Sequence, residues 1–390
     1  MPRENFVTVT AARMARIPFA LFAEKSFRPP EKALILKTCC LSHVMLATPL
    51  LAALCEAFPE ARFDWAVGDW ARPAIVGNPR LTELISTGEG DIQKRSWRQT
   101  GHLVKRLRME KYDTCFMPSR SGVLSYIAWQ AGIPQRVGLN IRSRGFAHTV
   151  AVRPPQDMKQ TAAIYLSLAE AVGVSEETIE SVGMEFYPPD RDRLAVTQRL
   201  VEDMDWLGDV PLVIMHPGGA HNPYQSDLLK RWPVERFALL GNHLIRQHGA
   251  RVVLVGSDEE RPLGQAISGL MAGKVTDLCG QLSLGEVGAL CEVAGLYVGN
   301  DAGATHVAAA TGCSTLAIYG PSDPAFSKPY SPKTDVVALW RDLSEVEQER
   351  PFSWDIGVTV EQASEAADRL LERPIDQGEA MAFIAGGKAE

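Results

Sequence analysis

The sequence of 390 residues predicts an α/β fold with two doubly wound, Rossmann-like domains. Short apolar runs alternate with stretches of helical period, which is typical of parallel strands joined by crossover helices. The alternation occurs twice, and a charged stretch at 188–209 separates the two runs. The length also suits two domains of ordinary size. We therefore expect two domains that face each other across a cleft lined by strand carboxyl ends.

The domain boundaries follow from these changes in composition. We predict five segments: an N-terminal extension at 1–31, a first domain at 32–187, a connector at 188–209, a second domain at 210–373 and a tail at 374–390. Within the extension, residues 11–27 mix basic with apolar side chains, and Pro18 interrupts any continuous helix. Two interpretations stay open for this stretch: a segment resting on a membrane surface, or a covering or disordered arm.

The elements of the first domain begin with an apolar strand and a polar turn. We predict strands at 32–37, 63–67 and 113–117, and helices at 44–58 and around 121–132. In the second domain the same criteria predict strands at 211–215, 251–255, 296–298 and 314–319, and helices at 234–248, 262–272, 284–294 and 360–371.

The formal net charge of −7 argues against bulk nucleic-acid binding. The charge is unevenly divided, because residues 1–185 carry 23 Lys and Arg against 18 Asp and Glu. A basic N-terminal half favours an anionic partner, such as an acidic glycan or a membrane surface. The alternative is that these charges are ordinary solvated faces.

Several classes of protein are disfavoured by missing patterns. No apolar run is long enough to span a bilayer, and no secretory signal is expected, so we predict a cytoplasmic protein. Seven cysteines without CxxC spacing suggest reduced thiols. No zinc motif, GxGxxG or P-loop occurs. Two DxD pairs lie in the polar connector, away from strand ends, and are interpreted as solvated rather than as a metal site.

The most distinctive stretch is a strand, a Gly-containing turn and a helix between 296 and 310. Asp301 stands at a predicted strand end, and Ala302, Gly303 and Ala304 open the helix that carries His306. Unpaired N–H groups and the helix dipole favour an anion there, typically a phosphate. The alternatives are a βαβ turn that binds nothing and a His306 that only packs. Glu259, in an acidic turn, is a candidate for holding ribose hydroxyls.

Three segments give the chain a family likeness: 33–67, 216–244 and 298–324. In this order they resemble glycosyltransferase family 9, the ADP-heptose:lipopolysaccharide heptosyltransferases and their relatives. The resemblance implies a GT-B fold and an inverting, metal-independent transfer of sugar. It also implies a nucleotide-sugar donor, possibly ADP-heptose, held mainly by the C-terminal domain, with no cofactor.

The same resemblance assigns roles to the donor-side residues. Asp301 contacts the donor sugar, and the backbone at 302–304, with His306 nearby, holds the pyrophosphate. Lys230 corresponds to a phosphate-contacting lysine, although residues 221–229 form a longer loop than is usual in the family. The physical argument agrees, because a helix N-terminus and a lysine stabilise the charge of a departing nucleoside diphosphate.

The chain departs from the family pattern at Ser42-His43, where Gly-Asp is usual. That aspartate is the expected general base, and His43 stands in its place. Two hypotheses compete: His43 is the substitute base, or the base is lost and the protein binds nucleotide sugars without efficient transfer. For the acceptor, we expect Arg120, Arg142 and Arg144 to pair with carboxylates or phosphates. Their alternative is a solvated surface.

The main hypothesis is therefore an inverting glycosyltransferase that extends a lipopolysaccharide-like or other surface glycan, in peripheral contact with the inner face of the membrane. The alternative from another class is a catalytically weak or inactive nucleotide-sugar-binding protein of the same fold. A GT-B epimerase is a more distant alternative.

Overall fold

The computed structural model describes residues 26–89, 92, 96–219, 221–222, 225–341 and 351–372. The tail at 374–390 and the part of the extension before residue 26 lie outside the described residues. The chain divides into two compact units, Met1–Gly183 and Met184–Glu390. Within the described residues, no helix is both long enough and apolar enough to cross a membrane.

The first unit contains a six-stranded parallel sheet with the order β3-β2-β1-β4-β5-β6. Its strands are β1 Lys32–Leu36, β2 Arg62–Val67, β3 Glu83–Ser86, β4 Thr114–Met117, β5 Gln135–Leu139 and β6 Val150–Val152. Its helices are α1 Leu41–Met45, α2 Thr48–Ala57, α3 Trp97–Met109, α4 Gly122–Gln130, α5 Thr161–Glu170 and α6 Glu176–Ser181.

The second unit repeats this topology. Its six-stranded parallel sheet runs β11-β10-β7-β12-β13-β14, and β8 pairs with β9 as a separate short hairpin. The strands are β7 Leu212–His216, β8 His221–Asn222, β9 Gln225–Ser226, β10 Arg251–Leu254, β11 Val275–Asp277, β12 Leu296–Asn300, β13 Thr315–Ile318 and β14 Val336–Leu339. The helices are α7 Asp190–Gln198, α8 Val234–His248, α9 Arg261–Leu270, α10 Leu284–Val293, α11 Gly303–Ala310, α12 Pro324–Ser327 and α13 Val360–Leu371.

Both faces of the second sheet are covered. Val213 and Met215 of β7 enter one buried cluster with residues of α8, α9 and α13. Leu212 and Ile214 enter another cluster with residues of α7, α10 and α11. Successive strand residues point to opposite faces, so a fully apolar strand needs helices on both sides. The predicted doubly wound α/β class is therefore confirmed for each unit, while the cleft between them stays a prediction.

Residues 188–209, expected as a connector, fold as part of the second unit. Val196 of α7, followed by Leu200, Met204 and Trp206, is buried in the cluster on one face of the sheet. The many polar residues at 190–206 concealed these four apolar positions, which supply the buried side of an otherwise solvated segment.

The single helix expected at 44–58 is two helices. α1 ends at Met45, and α2 starts at Thr48 with a proline in its first turn. A proline fits a helix start, where its missing N–H has no partner to lose, and it disfavours an unbroken helix through this point. The break makes α1 a separate short turn that carries His43.

Two further details concern the start of the first unit. Phe27 of the extension packs its ring against Phe58 and Phe116, with centroids 5.9 and 6.3 Å away. Phe27 therefore packs on this unit, while residues 11–25, the main part of the stretch with two open interpretations, lie outside the described residues. Between β1 and α1, the Sγ atoms of the neighbouring Cys39 and Cys40 lie close together. The reduced thiols expected from the sequence stay a prediction.

Candidate active site

In the second unit, polar side chains gather where three neighbouring strands end. His216 is the last residue of β7, Asn300 is the last of β12, and a 3₁₀ turn at Asp258–Glu260 follows β10. β7 lies between the other two strands. The strand order reverses between β7 and β12, and such a switch point is where open α/β sheets bind ligands.

Asn300 holds the loops of this region together. Its Nδ2 donates to the carbonyl oxygens of Pro217 and Gly218, each at 2.9 Å. Its Oδ1 accepts from the backbone N–H of Trp232 at 2.9 Å. The side chain is fully buried, so losing any of these bonds leaves a costly unpaired group. The turn at 216–219 (HPGG) and the segment at 230–233 (KRWP) are thereby fixed to the end of β12.

Asp301 and Lys230 form an ion pair next to Asn300. Lys230 Nζ lies 2.6 Å from Asp301 Oδ2, and Ser327 Oγ donates to Asp301 Oδ1 at 3.3 Å. The Asp301 side chain is 7% exposed and that of Lys230 is 26% exposed. The structure thus brings together two of the residues expected to contact the donor. The loop before Lys230 contains the short β8–β9 hairpin and a 3₁₀ turn at Leu228–Lys230.

The start of α11 lies next to the ion pair. Ala302 is its N-cap and makes no side-chain cap hydrogen bond, and Gly303 and Ala304 occupy its first turn. The first N–H groups of a helix have no intrahelical partner and attract anions. Gly219, with φ +83°, passes so close to Ala302 that no side chain fits between them. This close approach, together with the positive φ, requires a glycine at position 219.

His306 lies beneath this turn and is buried, with 1% of its surface exposed. Burial lowers the pKa of His306 to about 4; Asp301 acts to raise the pKa and Lys230 to lower it further. Its Nδ1 has no hydrogen-bond partner among the described residues. The ring is therefore neutral near pH 7 and adds no positive charge to that of Lys230 and the helix start.

The carboxylate that faces this region is Glu260, whereas Glu259 is exposed. Glu260 lies 3.3 Å from His216 Nε2, accepts from the Gly219 N–H at 2.5 Å, and lies 3.4 Å from a guanidinium nitrogen of Arg231. Burial acts to raise the pKa of Glu260, but His216 and backbone N–H groups lower it well below the usual range. Sequence reasoning found the acidic turn and missed which carboxylate points inward, a choice set by the Ser257 capping box.

In the first unit, His43 contacts a buried pair that sequence reasoning missed. Lys37 follows β1 directly, and its Nζ lies 2.8 Å from the hydroxyl of Tyr165 on α5. His43 Nδ1 lies 3.0 Å from the same hydroxyl. A lysine placed directly after a buried strand was a usable signal. Tyr165 gave none, because it lies within an apolar helix.

The three arginines expected to bind the acceptor follow the adjacent strands β4 and β5. Arg120 follows β4 and is exposed, and Arg142 and Arg144 lie at the 3₁₀ turn after β5. Arg144 Nη1 donates to the Arg120 carbonyl oxygen at 3.3 Å. Since β1 neighbours β4, these arginines share one edge of the sheet with Lys37 and His43.

A group of acidic residues lies elsewhere in this unit. Among the described residues, Asp64, Glu83 and Glu110 are the set that places three ligand atoms within 4.8 Å of one another. Lys32 Nζ lies 2.8 Å from Glu110 and 3.6 Å from Asp64, and Arg106 pairs with Glu83 at 3.3 Å. Lys32 and Arg106 therefore already pair with these carboxylates.

Two doubly wound units, the second with a helix start beside a lysine–aspartate pair, match the architecture of the GT-B type. The sequence profile of glycosyltransferase family 9 (heptosyltransferase) matches residues 100–353. The chain belongs to this family and is a glycosyltransferase.

Relatives and solved structures agree with this assignment. Lipopolysaccharide heptosyltransferase 2 of Salmonella typhimurium and that of Escherichia coli K12 are each 27% identical to the chain over 315 residues, covering 79% of it and 88% of the relative. A family 9 glycosyltransferase from Veillonella parvula superposes with a TM-score of 0.75 at 22% identity, covering 90% of this chain and 100% of that one. E. coli ADP-heptose lps heptosyltransferase II gives a TM-score of 0.67 at 23% identity, covering 87% and 98%. The two structural likenesses support the fold.

Proposed function

We propose that the chain transfers a sugar from a nucleotide-sugar donor, with ADP-heptose the first candidate, to a lipopolysaccharide-like acceptor. The observation that carries the donor half is the Lys230–Asp301 pair at 2.6 Å beside the start of α11. The names of the relatives supply the candidate donor and acceptor. We propose that the protein acts on this acceptor in the cytoplasm, in peripheral contact with the inner face of the membrane.

The donor-side residues have complementary roles in this proposal. The N–H groups at 302–304 and the Lys230 ammonium hold the diphosphate, and Asp301 accepts from hydroxyls of the sugar. As the bond between sugar and phosphate breaks, negative charge grows on the leaving diphosphate. Fixed N–H dipoles and a lysine stabilise this charge. We propose on these grounds that transfer needs no metal ion.

His43 is proposed as the general base. It removes the proton from the acceptor hydroxyl while the acceptor oxygen forms its bond to the anomeric carbon, and the nucleoside diphosphate leaves from the opposite face. The product is inverted at that carbon. Arg120, Arg142 and Arg144 are proposed to pair with anionic groups of the acceptor.

The second candidate is a nucleotide-sugar-binding protein with weak or no transfer. The observation that favours it is the histidine at position 43, where the family usually has aspartate. Both candidates predict donor binding, so binding alone does not separate them.

Two measurements on the full chain separate the candidates. Calorimetry with a panel of nucleotide sugars identifies the donor, and ADP-heptose is expected to bind more tightly than UDP- and GDP-sugars. Release of nucleoside diphosphate is then measured with and without lipopolysaccharide acceptors truncated at successive core sugars. Acceptor-dependent release supports transfer. Binding without release in every acceptor mixture supports the second candidate, and no binding by any nucleotide sugar contradicts both.

A further inference from the structure

The hydroxyl of Tyr165 lies between two basic nitrogens in the first unit. Lys37 Nζ is 2.8 Å from Tyr165 Oη, and His43 Nδ1 is 3.0 Å from it. Lys37 Nζ also stands 4.8 Å from the centroid of the tyrosine ring. Tyr165 is 5% exposed and Lys37 is 7% exposed. A hydroxyl this buried must find its hydrogen-bond partners within the protein.

A single hydroxyl hydrogen links the states of the two nitrogens. An ammonium can only donate, so a charged Lys37 makes Tyr165 Oη an acceptor. The hydroxyl hydrogen then points to His43 Nδ1. A neutral imidazole whose Nδ1 accepts must carry its proton on Nε2. In this state Nε2 has no lone pair with which to take a proton from an acceptor.

An uncharged Lys37 permits the opposite chain of bonds. Its amine lone pair accepts the hydroxyl hydrogen of Tyr165, and Tyr165 Oη accepts from His43 Nδ1–H. The lone pair of His43 then lies on Nε2, the ring nitrogen that serves a base. When this nitrogen takes a proton, the imidazolium keeps its Nδ1–H bond to Tyr165.

We propose that Tyr165 and Lys37 are positioning residues that set the tautomer of His43, so that transfer requires the amine form of Lys37 as well as unprotonated His43. This inference rests on the proposed function at one point, the role of His43 as base. An aspartate at position 43 has no ring tautomers, so this role of Tyr165 and Lys37 applies only when the residue is histidine.

The charges around the pair suit this role. Burial, with a smaller contribution from the charge of Arg120, lowers the pKa of Lys37 to about 7. Both forms of Lys37 are therefore populated near neutral pH. Burial raises the pKa of Tyr165, with Arg120 acting in the opposite direction, so the hydroxyl keeps its proton. Besides the three residues themselves, Arg120 is thus the charged group that lowers the pKa of both Lys37 and Tyr165.

The preference between the two tautomers has a definable size. With Lys37 charged, the active tautomer requires both nitrogens to donate to Tyr165 Oη, which leaves the hydroxyl hydrogen buried without an acceptor. An unsatisfied buried donor disfavours such a state by roughly ten- to hundredfold. Removing the hydroxyl deletes the acceptor of His43 Nδ1–H, which also stabilises the imidazolium formed during transfer, and a hydrogen bond to a charged group of this kind corresponds to a roughly ten- to hundredfold loss of rate.

The first test is the pH dependence of kcat for the full chain, with the donor and acceptor found active in the release assay. For the wild type, log kcat is expected to rise with a limiting slope of two, because two groups must lose protons. Lys37→Met is expected to reduce this slope to one. Tyr165→Phe is expected to lower kcat ten- to hundredfold at pH 8 and to change the donor KM less than twofold. Tyr126→Phe, the matched removal of a hydroxyl on α4, is the control.

The second test needs no turnover. ¹⁵N chemical shifts of the His43 ring in the free protein report its tautomer, and we expect a change from Nε2–H to Nδ1–H as Lys37 titrates. Lys37→Met is expected to abolish that change. The proposal is overturned if log kcat rises with a limiting slope of one in both the wild type and Lys37→Met. It is also overturned if the tautomer of His43 does not change as Lys37 titrates. If His43→Ala keeps full transfer, the base assignment fails, and the ¹⁵N shifts still decide whether Lys37 and Tyr165 set the tautomer.

Discussion

At the scale of single residues, the donor region works by dividing charge among neighbours. His306 is neutral because burial lowers its pKa to about 4, and Glu260 is committed to His216 and backbone N–H groups. Lys230 is paired with Asp301 and still has two further N–H donors on its ammonium. It is therefore the side chain best suited to a diphosphate.

Lys230→Met is expected to weaken nucleotide-sugar binding about tenfold or more. A hydrogen bond between a lysine and a phosphate oxygen contributes about 1.5–3 kcal/mol, and methionine keeps most of the side-chain volume. Calorimetric titration with the preferred nucleotide sugar measures the change. Lys274→Met is the control, since it removes the same charge just before the edge strand β11. Equal affinity in Lys230→Met and the control removes Lys230 from the proposed site.

At the scale of elements, polar contacts hold α13 of the second unit against α8 and the segment at 230–233. Asp368 lies 2.9 Å from His243 Nε2 and 2.7 Å from His248 Nε2. Trp232 Nε1 donates to the Val358 carbonyl oxygen at 2.9 Å, just before the helix begins. The backbone N–H of Trp232 also donates to Asn300. Trp232 therefore links the packing of α13 to the loops of the candidate site.

Asp368→Asn is expected to lower the free energy of unfolding by about 1 kcal/mol at pH 7, because the partly exposed pairs with His243 and His248 are lost. Burial acts to raise the pKa of Asp368, but hydrogen bonds from His248 and His243 lower it. A carboxyl with a lowered folded pKa stabilises above its unfolded pKa of about 3.9 and loses this contribution as pH falls further.

Urea unfolding at pH 7 and near pH 3 measures this effect. The difference between wild type and Asp368→Asn is expected to shrink at the lower pH. Glu365→Gln, on the exposed side of the same helix, controls for removing a charge. A difference that is constant with pH, or as large in Glu365→Gln, contradicts the assigned role of Asp368.

The elements differ in how well the sequence predicted them. α8 and α13 were predicted to the residue, because each combines a strong apolar period with a clear end signal: Gly249 at φ +63° after α8, and a Thr359–Gln362 capping box before α13. The strands β3, β5, β6, β11 and β14 were missed. All but β5 have three or four residues and few buried positions, so their pairing depends on the neighbouring strand and not on their own pattern. β5 has five residues, and its buried run includes Arg136 and Gly138, which interrupt the apolar pattern.

At the scale of the whole molecule, the chain contains the same sheet order twice, 3-2-1-4-5-6 in each unit's own strand numbering. The sequence predicted two doubly wound α/β domains and singled out the polar turns after β7, β10 and β12. It did not predict which side chains face inward: Glu260 is buried beside His216, and Lys37 and Tyr165 were not singled out. Such choices depend on contacts between residues more than 40 or 100 positions apart, which periodicity does not encode. The role of Glu259 stays a prediction.

The central claim is that His43 removes a proton during sugar transfer. The most direct measurement is a single turnover of the full chain with saturating donor and acceptor, comparing wild type, His43→Ala and His43→Asp, with donor affinity measured on the same samples. The account predicts that His43→Ala binds the donor as the wild type does and forms product at least a hundredfold more slowly, while His43→Asp, which restores the usual family residue, retains transfer. Product formation by His43→Ala at the wild-type rate would contradict it.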